Sequence, residues 1–182
     1  MVVESLQGQL LISGPGLVDP NFRRTIVLIG EHNEEGALGV VLNRPAPVTV
    51  AETVPPLAEL VAPEERLFVG GPVQPQSAVV LADFEDPADS GLLVMGSIGF
   101  LLGEIEPSSL GAIRRARVFA GYAGWGPGQL EHELEESAWI VELALPDDVF
   151  TGDPEGLWGA VVKRKGGPAA LMATMPVDPS TN

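Results

Sequence analysis

Two histidines, His32 and His132, are the chain's only imidazoles, and it contains no cysteine. A histidine near neutral pH can serve as a general base. His32 follows Glu31 in a polar stretch between two apolar runs, where an exposed loop histidine is the competing reading. His132 lies among Glu131, Glu133, Glu135 and Glu136, a run that reads most simply as the solvated face of a helix. Neither histidine forms His-x-His or His-Glu-x-x-His, so no metal site and no other cofactor is expected. The absence of cysteine removes disulfides, thiolate nucleophiles and cysteine-held zinc or iron–sulfur clusters. No Gly-x-x-x-x-Gly-Lys-Ser/Thr loop is present to cradle phosphate. Ser97 has Gly99 after it but Met95 two residues before it, so it is not the nucleophile of a Gly-x-Ser-x-Gly elbow.

Two further stretches carry polar groups at element ends. In Asn43-Arg44-Pro45, Asn43 can cap or turn the chain and Arg44 can meet a carboxylate. Both roles are structural unless the groups line a cavity. Gly124-Trp125-Gly126-Pro127-Gly128 runs from a strand into a helix, where free backbone N–H groups can hold an anion. Against that, Pro127 removes a donor, and Glu131 and Glu133 put negative charge at the helix start. The alternative is a tight glycine turn with Trp125 packed on the core.

The elements that position these residues follow from the apolar pattern. Gly8 to Ser13 is a strand ending at Gly14-Pro15-Gly16. Thr25 to Ile29 and Ala37 to Leu42 are continuous apolar runs, suited to strands buried on both faces, and the polar Glu31 to Gly36 segment makes them a hairpin. Thr49 and Glu52 have capping-box spacing, ahead of a short helix with Val54, Leu57, Leu60 and Val61 on one face and Pro55-Pro56 in its first turn. Leu67 to Val69, Ser77 to Ala82, Leu92 to Met95, Ile98 to Ile105, Arg117 to Tyr122 and Trp139 to Leu145 are further strands. Helices are expected at Pro107 to Arg115, at Gly128 to Glu136 with Leu130 and Leu134 inward, and after Asp153-Pro154-Glu155. The last carries a stripe of Leu157, Trp158, Val161 and Val162 and stops at Gly166-Gly167. Some eight strands and three or four helices without regular βα alternation indicate an α+β fold. Residues 1–175 are expected to form a single domain, with 176–182 a loose tail.

Net charge bounds the partners. The chain of 182 residues is 45% hydrophobic and carries −15 at pH 7. Such a surface repels phosphate backbones, which argues against unaided nucleic-acid binding. The basic residues cluster at Arg23-Arg24, Arg114-Arg115-Arg117 and Lys163-Arg164-Lys165, where the last two groups are expected to offset helix C-terminal dipoles. No signal peptide and no apolar run of membrane-spanning length is legible, so a cytoplasmic protein without membrane contact is expected.

Taken together, several stretches resemble one family. Gly8-Gln9-Leu10-Leu11-Ile12 with Asp19-Pro20-Asn21-Phe22 is similar to the opening of the YqgE/AlgH family. Glu31-His32-Asn33 with Gly36 to Pro45 resembles its second signature, and Gly70-Gly71-Pro72-Val73 its third. Gly121 to Glu131, with Glu133 and Trp139, resembles its fourth. The order matches from residue 8 to residue 139. The region between Leu92 and Arg117 departs from many relatives, since Gly96 to Glu106 reads as extended where they carry a serine/threonine-rich strand and a longer helix. The resemblance implies a coiled, bifurcated, partly barrel-like sheet flanked by short helices. It implies no settled activity, although some members bear the label of transcriptional regulator.

Three functions follow as expectations: a regulatory or accessory protein binding a protein or small molecule, as a monomer or weak homodimer; an enzyme on a small polar substrate with His32, Asp19 or Glu131 as base; or the regulator of the family label. The signatures add Asn, Arg, Gln and Glu at strand ends and turns, where sites are built. A shared ligand surface is therefore expected from Asn21, His32, Asn43, Arg44, Tyr122, Trp125, Gln129 and Glu131, with Arg44 pairing Glu131 and Tyr122 and Trp125 forming an apolar wall. The competing reading makes each signature a turn. The charge yields a first prediction. At physiological salt and micromolar concentration the isolated protein should leave duplex DNA unshifted in a gel-mobility assay, and sequence-specific binding with a steep salt dependence would contradict it.

Overall fold

The computed structural model describes residues 4–14, 17, 19, 22–101, 105–107 and 110–174. Asn21 and the tail at 176–182 lie outside them. Among the described residues ten strands form one sheet: β1 (Gln9–Ser13), β2 (Ile26–Asn33), β3 (Gly36–Val41), β4 (Pro45–Thr49), β5 (Arg66–Val69), β6 (Val73–Phe84), β7 (Leu92–Met95), β8 (Ile98–Leu101), β9 (Ile113–Trp125) and β10 (Trp139–Leu143). The main path runs β10-β1-β2-β3-β9-β6-β8-β7. Every pairing is antiparallel except β5 with β9. The fold is α+β, and the sheet does not close into a barrel.

Strand β9 has three neighbours. It pairs with β6 over most of its length, with β5 at Phe119 and Ala120, and with β3 at Ala123 to Trp125. The two ends of the path, β10 and β7, do not pair with each other. Instead Gln7 Nε2 donates to the Gly30 carbonyl of β2 at 2.9 Å and to the Leu93 carbonyl of β7 at 3.1 Å. One side chain thus ties β7 beside β2 without a ladder.

The continuous apolar runs of β1 to β3 serve both faces of the sheet, as such runs must. Leu10, Ile12, Leu28, Val40 and Leu42 enter one core with Phe68, Leu81, Phe100 and Phe119. Leu11, Val27, Ile29 and Val41 enter a second core with Trp125, Leu130 and Trp139. A third cluster joins Val50 and Leu57 to Leu67, Val80 and Val118.

Short helices seal these cores. α1 (Val50–Thr53) starts with the Thr49–Glu52 capping box, and Pro55-Pro56 begin a 3₁₀ segment that buries Leu57, with Val54, Leu60 and Val61 partly covered. α2 (Gln129–Glu135) buries Leu130 and half-buries Leu134 in the second core. α3 (Pro146–Val149) precedes a 3₁₀ turn capped by Asp153 and then α4 (Leu157–Lys165), whose chain leaves through Gly166 at φ 73°. The basic end of α4 also guards the sheet edge. Arg164 donates to the Leu143 carbonyl at 3.1 Å and Lys165 to the Val141 carbonyl at 2.9 Å, so two outward acceptors of β10 are closed to another strand.

The structure corrects the expected helix from Pro107 to Arg115. Ile113, Arg114 and Arg115 open β9, and all three basic residues of this cluster lie on a strand. The ladder with β6 decides the outcome: Asp83 sits opposite Arg115, and Arg114 donates to the Asp83 carboxylate at 3.3 Å and the Phe84 carbonyl at 2.8 Å. Arg117 is buried, with Glu65 at 3.1 Å and the Phe68 ring centroid 4.5 Å from its Cζ. Cross-strand charge pairing overrides local helix preference here. Lys163, Arg164 and Lys165 do fall in the last turn of α4.

Trp158 on α4 is 6% exposed, donates to the Ser13 carbonyl at 3.4 Å and lies 4.6 Å beneath the Arg24 guanidinium. Trp158→Ala should lower stability by about 3–5 kcal/mol, read as a shift of the urea midpoint. An unchanged midpoint would contradict the assignment of α4 to the core.

Candidate functional site

His32 owes its position to one extra residue. The register of β2 against β3 jumps between Ile29 and Glu31, so Gly30 forms a β-bulge. Without it, residues three apart such as Ile29 and His32 would face opposite sides of the sheet. With it, His32 stands opposite Ala37 and joins Ile29 on the face covered by α2. The residue is buried, at 6% exposure.

Both ring nitrogens are committed. Nδ1 accepts the Leu6 backbone N–H at 3.0 Å, and Nε2 meets the Glu131 carboxylate. An acceptor Nδ1 fixes the neutral tautomer with its proton on Nε2, which donates to Glu131. No lone pair is left for a substrate proton. The bond from His32 holds the Glu131 carboxyl below its ordinary value, while burial acts in the opposite sense.

The glycine-rich turn behind Trp125 is tied in the same way. Gln129 Oε1 accepts the Gly126 N–H at 3.0 Å, and Gln129 Nε2 donates to Glu133 at 2.9 Å. Glu133 Oε1 also accepts both indole N–H groups, from Trp125 at 3.2 Å and Trp139 at 3.0 Å. Phe22 completes the cluster, its ring 5.7 Å from Trp139 and 6.5 Å from Trp125. Trp125 is therefore a core residue. The acidic run of α2 is not simply a solvated face: Glu131 and Glu133 are built into the fold, while His132 and Glu136 pair at the surface at 3.2 Å.

Asn43 and Arg44 lie at the far end of β3 from Trp125. Asn43 accepts the Ile26 N–H at 3.0 Å and donates to the Arg24 carbonyl at 2.9 Å, clamping the approach to β2. Arg44 donates to the Arg23 carbonyl at 3.0 Å. Burial and then the charge of Arg23 hold its guanidinium below its ordinary value, with Asp19 acting oppositely. The expected Arg44–Glu131 pair is not formed. Tyr122 and Trp125 do not share a wall either: Trp125 enters the core under α2, and Tyr122 packs against the core on the other side of the sheet. The structure thus brings His32, Trp125, Gln129 and Glu131 together, and sets Asn43 with Arg44 and Tyr122 apart from them.

Tyr122 instead lines a cleft of about 280 Å³, between Gly30, Glu31, Leu38 and Gly39 of the β2–β3 hairpin and Val79, Leu92, Phe100 and Leu101 of β6 to β8. Gln74, Ser77 and Ala78 complete it. Its walls are apolar, and Leu38 at its mouth is 43% exposed. A Cβ on Gly30 would come within 2.5 Å of the Phe100 ring, so the bulge glycine also shapes the cleft. Sequence reasoning named Tyr122 but did not name its neighbours Glu31, Leu38, Val79 and Gln74, or Glu133 as an anchor. The i, i+4 spacing of Gln129 and Glu133 was an available signal for the latter. Among the described residues, no three of His, Asp and Glu are grouped to hold a metal ion, and no helix is long and apolar enough to cross a membrane.

Comparison with known proteins gives this arrangement a family. Residues 10–170 match the family described as AlgH-like (DUF179). A UPF0301 protein of Streptomyces coelicolor is 46% identical over 99% of this chain and 97% of its own length. A UPF0301 protein of Mycolicibacterium smegmatis is 41% identical over 96% and 90%. The chain belongs to the AlgH-like family. Two solved structures share its fold: a protein of Corynebacterium diphtheriae with a TM-score of 0.82, covering 93% of this chain and 92% of that one, and the AlgH protein of Pseudomonas aeruginosa with 0.68, covering 94% of each. Both are 31% identical to it. In this AlgH-like chain the second and fourth signatures meet physically, as the His32–Glu131 bond.

That bond gives a pH prediction. A carboxyl whose pKa is lowered on folding adds stability above its unfolded pKa and loses it as pH falls through the folded value. Glu131→Gln should therefore lower the melting temperature at neutral pH, and the gap to the parent protein should close on acidification below the ordinary glutamate range. A gap that is constant or widens toward acid would contradict the assignment.

Proposed function

We propose that this protein is a regulatory or accessory binding protein whose ligand is a small molecule held in the apolar cleft beside the Gly30 bulge. The cleft carries the reading: about 280 Å³ walled by Leu38, Val79, Leu92, Phe100 and Tyr122, with a few polar groups at its edge. A concave, mostly apolar hollow with sparse polar groups is the usual form of a ligand site. The commitment of both His32 nitrogens supports binding over catalysis, because a general base needs a free lone pair aimed at substrate. The net charge of −15, with Arg114, Arg115 and Arg117 each turned toward acidic partners, weighs against the regulator label as direct DNA binding. In this reading the protein works in the cytoplasm as a monomer or weak homodimer, and signals ligand occupancy to other components.

The test is untargeted small-molecule capture on the purified protein and on Ala78→Trp, which places an indole at an exposed position lining the cleft. The parent should retain one or more species that the variant loses while melting at the same temperature. Equal retention by both, or none by the parent, would refute the cleft as the site.

A further inference from the structure

We propose that the ligand of this cleft is an amine: an apolar body, aryl or alkyl, bearing a cationic head read by Glu31. The inference rests on the cleft being a ligand site and names the chemistry it selects. Among the described residues, Glu31 is the one charged residue lining the cleft. It follows the bulge directly, and its exposed carboxylate makes no ion pair or side-chain hydrogen bond among the described residues. Other acidic groups near the core are matched: Glu65 by Arg117, Asp83 by Arg114, Asp148 by Arg164 and Glu131 by His32. An unmatched carboxylate at the mouth of an apolar hollow favours a cation over a neutral or anionic head. The net charge of −15 adds a long-range field of the same sign, which concentrates cations and repels carboxylates.

The rest of the rim is built for recognition rather than left over. Between Val73 and Ala78 the register of β6 against β9 breaks, and Gln74 is held there at φ 45°, a left-handed conformation uncommon for a side chain other than glycine. Opposite, Gly121 takes φ 72°, where a Cβ would lie 2.6 Å from the Gly71 carbonyl oxygen. The irregular segment brings the Gln74 amide and the Ser77 hydroxyl to the cleft, and Ser77 donates weakly to Gln74 at 3.4 Å. The Gln74 NH₂ remains a donor, and the Tyr122 hydroxyl makes no hydrogen bond among the described residues. These groups fix orientation, and Leu38, Val79 and Phe100 take the apolar body. With water occupying about 30 Å³ per molecule, the volume suits a ligand of roughly ten non-hydrogen atoms.

The experiment is a nuclear magnetic resonance titration with three compounds of one shape: phenethylamine, phenethyl alcohol and phenylacetate. The full chain and Glu31→Gln are compared at low and high salt. Phenethylamine should perturb Leu38, Val79 and Tyr122 and bind about two- to fivefold tighter than the alcohol, the range of an exposed ion pair. Phenylacetate should bind most weakly. The preference for amine should vanish in Glu31→Gln and shrink with salt. Equal binding of amine and alcohol, or an amine preference that survives Glu31→Gln, would overturn the amine assignment and leave the cleft standing. Cleft resonances unmoved by all three compounds would overturn both.

Discussion

The bulge at Gly30 is the constraint on which both faces of the site depend. One inserted residue in β2 moves His32 to the α2 side, where Leu6 and Glu131 take both ring nitrogens. The same residue, lacking a Cβ, lets the Phe100 ring close on the concave side and leaves Glu31 at the mouth of the cleft. A regular strand would satisfy neither arrangement, because each later side chain would change faces. The Gly30 carbonyl also receives Gln7, which binds the free end of the sheet at Leu93. Local backbone irregularity therefore fixes a buried polar tie, a surface hollow and the approach of β7 to β2.

The polar residues of the stretches that resemble the family signatures divide into two kinds of work. Asn43, Gln129, Glu131 and Glu133 satisfy backbone, imidazole and indole donors that would otherwise be stranded at element ends, and an unmet buried donor costs about 1–3 kcal/mol. They hold the approach to β2 and the turn before α2 in place. Tyr122 and the glycines around it do the other kind of work, because they shape a concave surface without filling it. In the proposed ligand site, Glu31, Gln74 and Ser77 touch the cleft from irregular backbone.

Much of the fold was legible because its strands are long apolar runs. β1, β2 and β3 follow from Leu10 to Ile12, Ile26 to Ile29 and Ala37 to Val41, and α4 from its stripe and its capping aspartate. The segment before Arg117 was not legible. Its arginines suit a helix end in isolation, and only the distant Asp83 makes them a strand. The grouping of the candidate site residues was not legible. Face assignment depends on bulges at Gly30 and at residues 74–77, and a bulge leaves little trace in hydrophobic period. Hence His32 and Glu131 were named without being joined, and Tyr122 was set beside Trp125, from which the sheet separates it.

The central claim is that His32 is a structural tie with both nitrogens engaged, so that the exposed chemistry of the molecule is that of a binding cleft. The most direct test is the nitrogen-15 long-range spectrum of the His32 imidazole at neutral pH. The account predicts a single tautomer, protonated at Nε2, with a strongly deshielded proton that disappears in Glu131→Gln and an Nδ1 coupled to the Leu6 amide. A ring protonated at Nδ1, or one exchanging freely between tautomers, would contradict it.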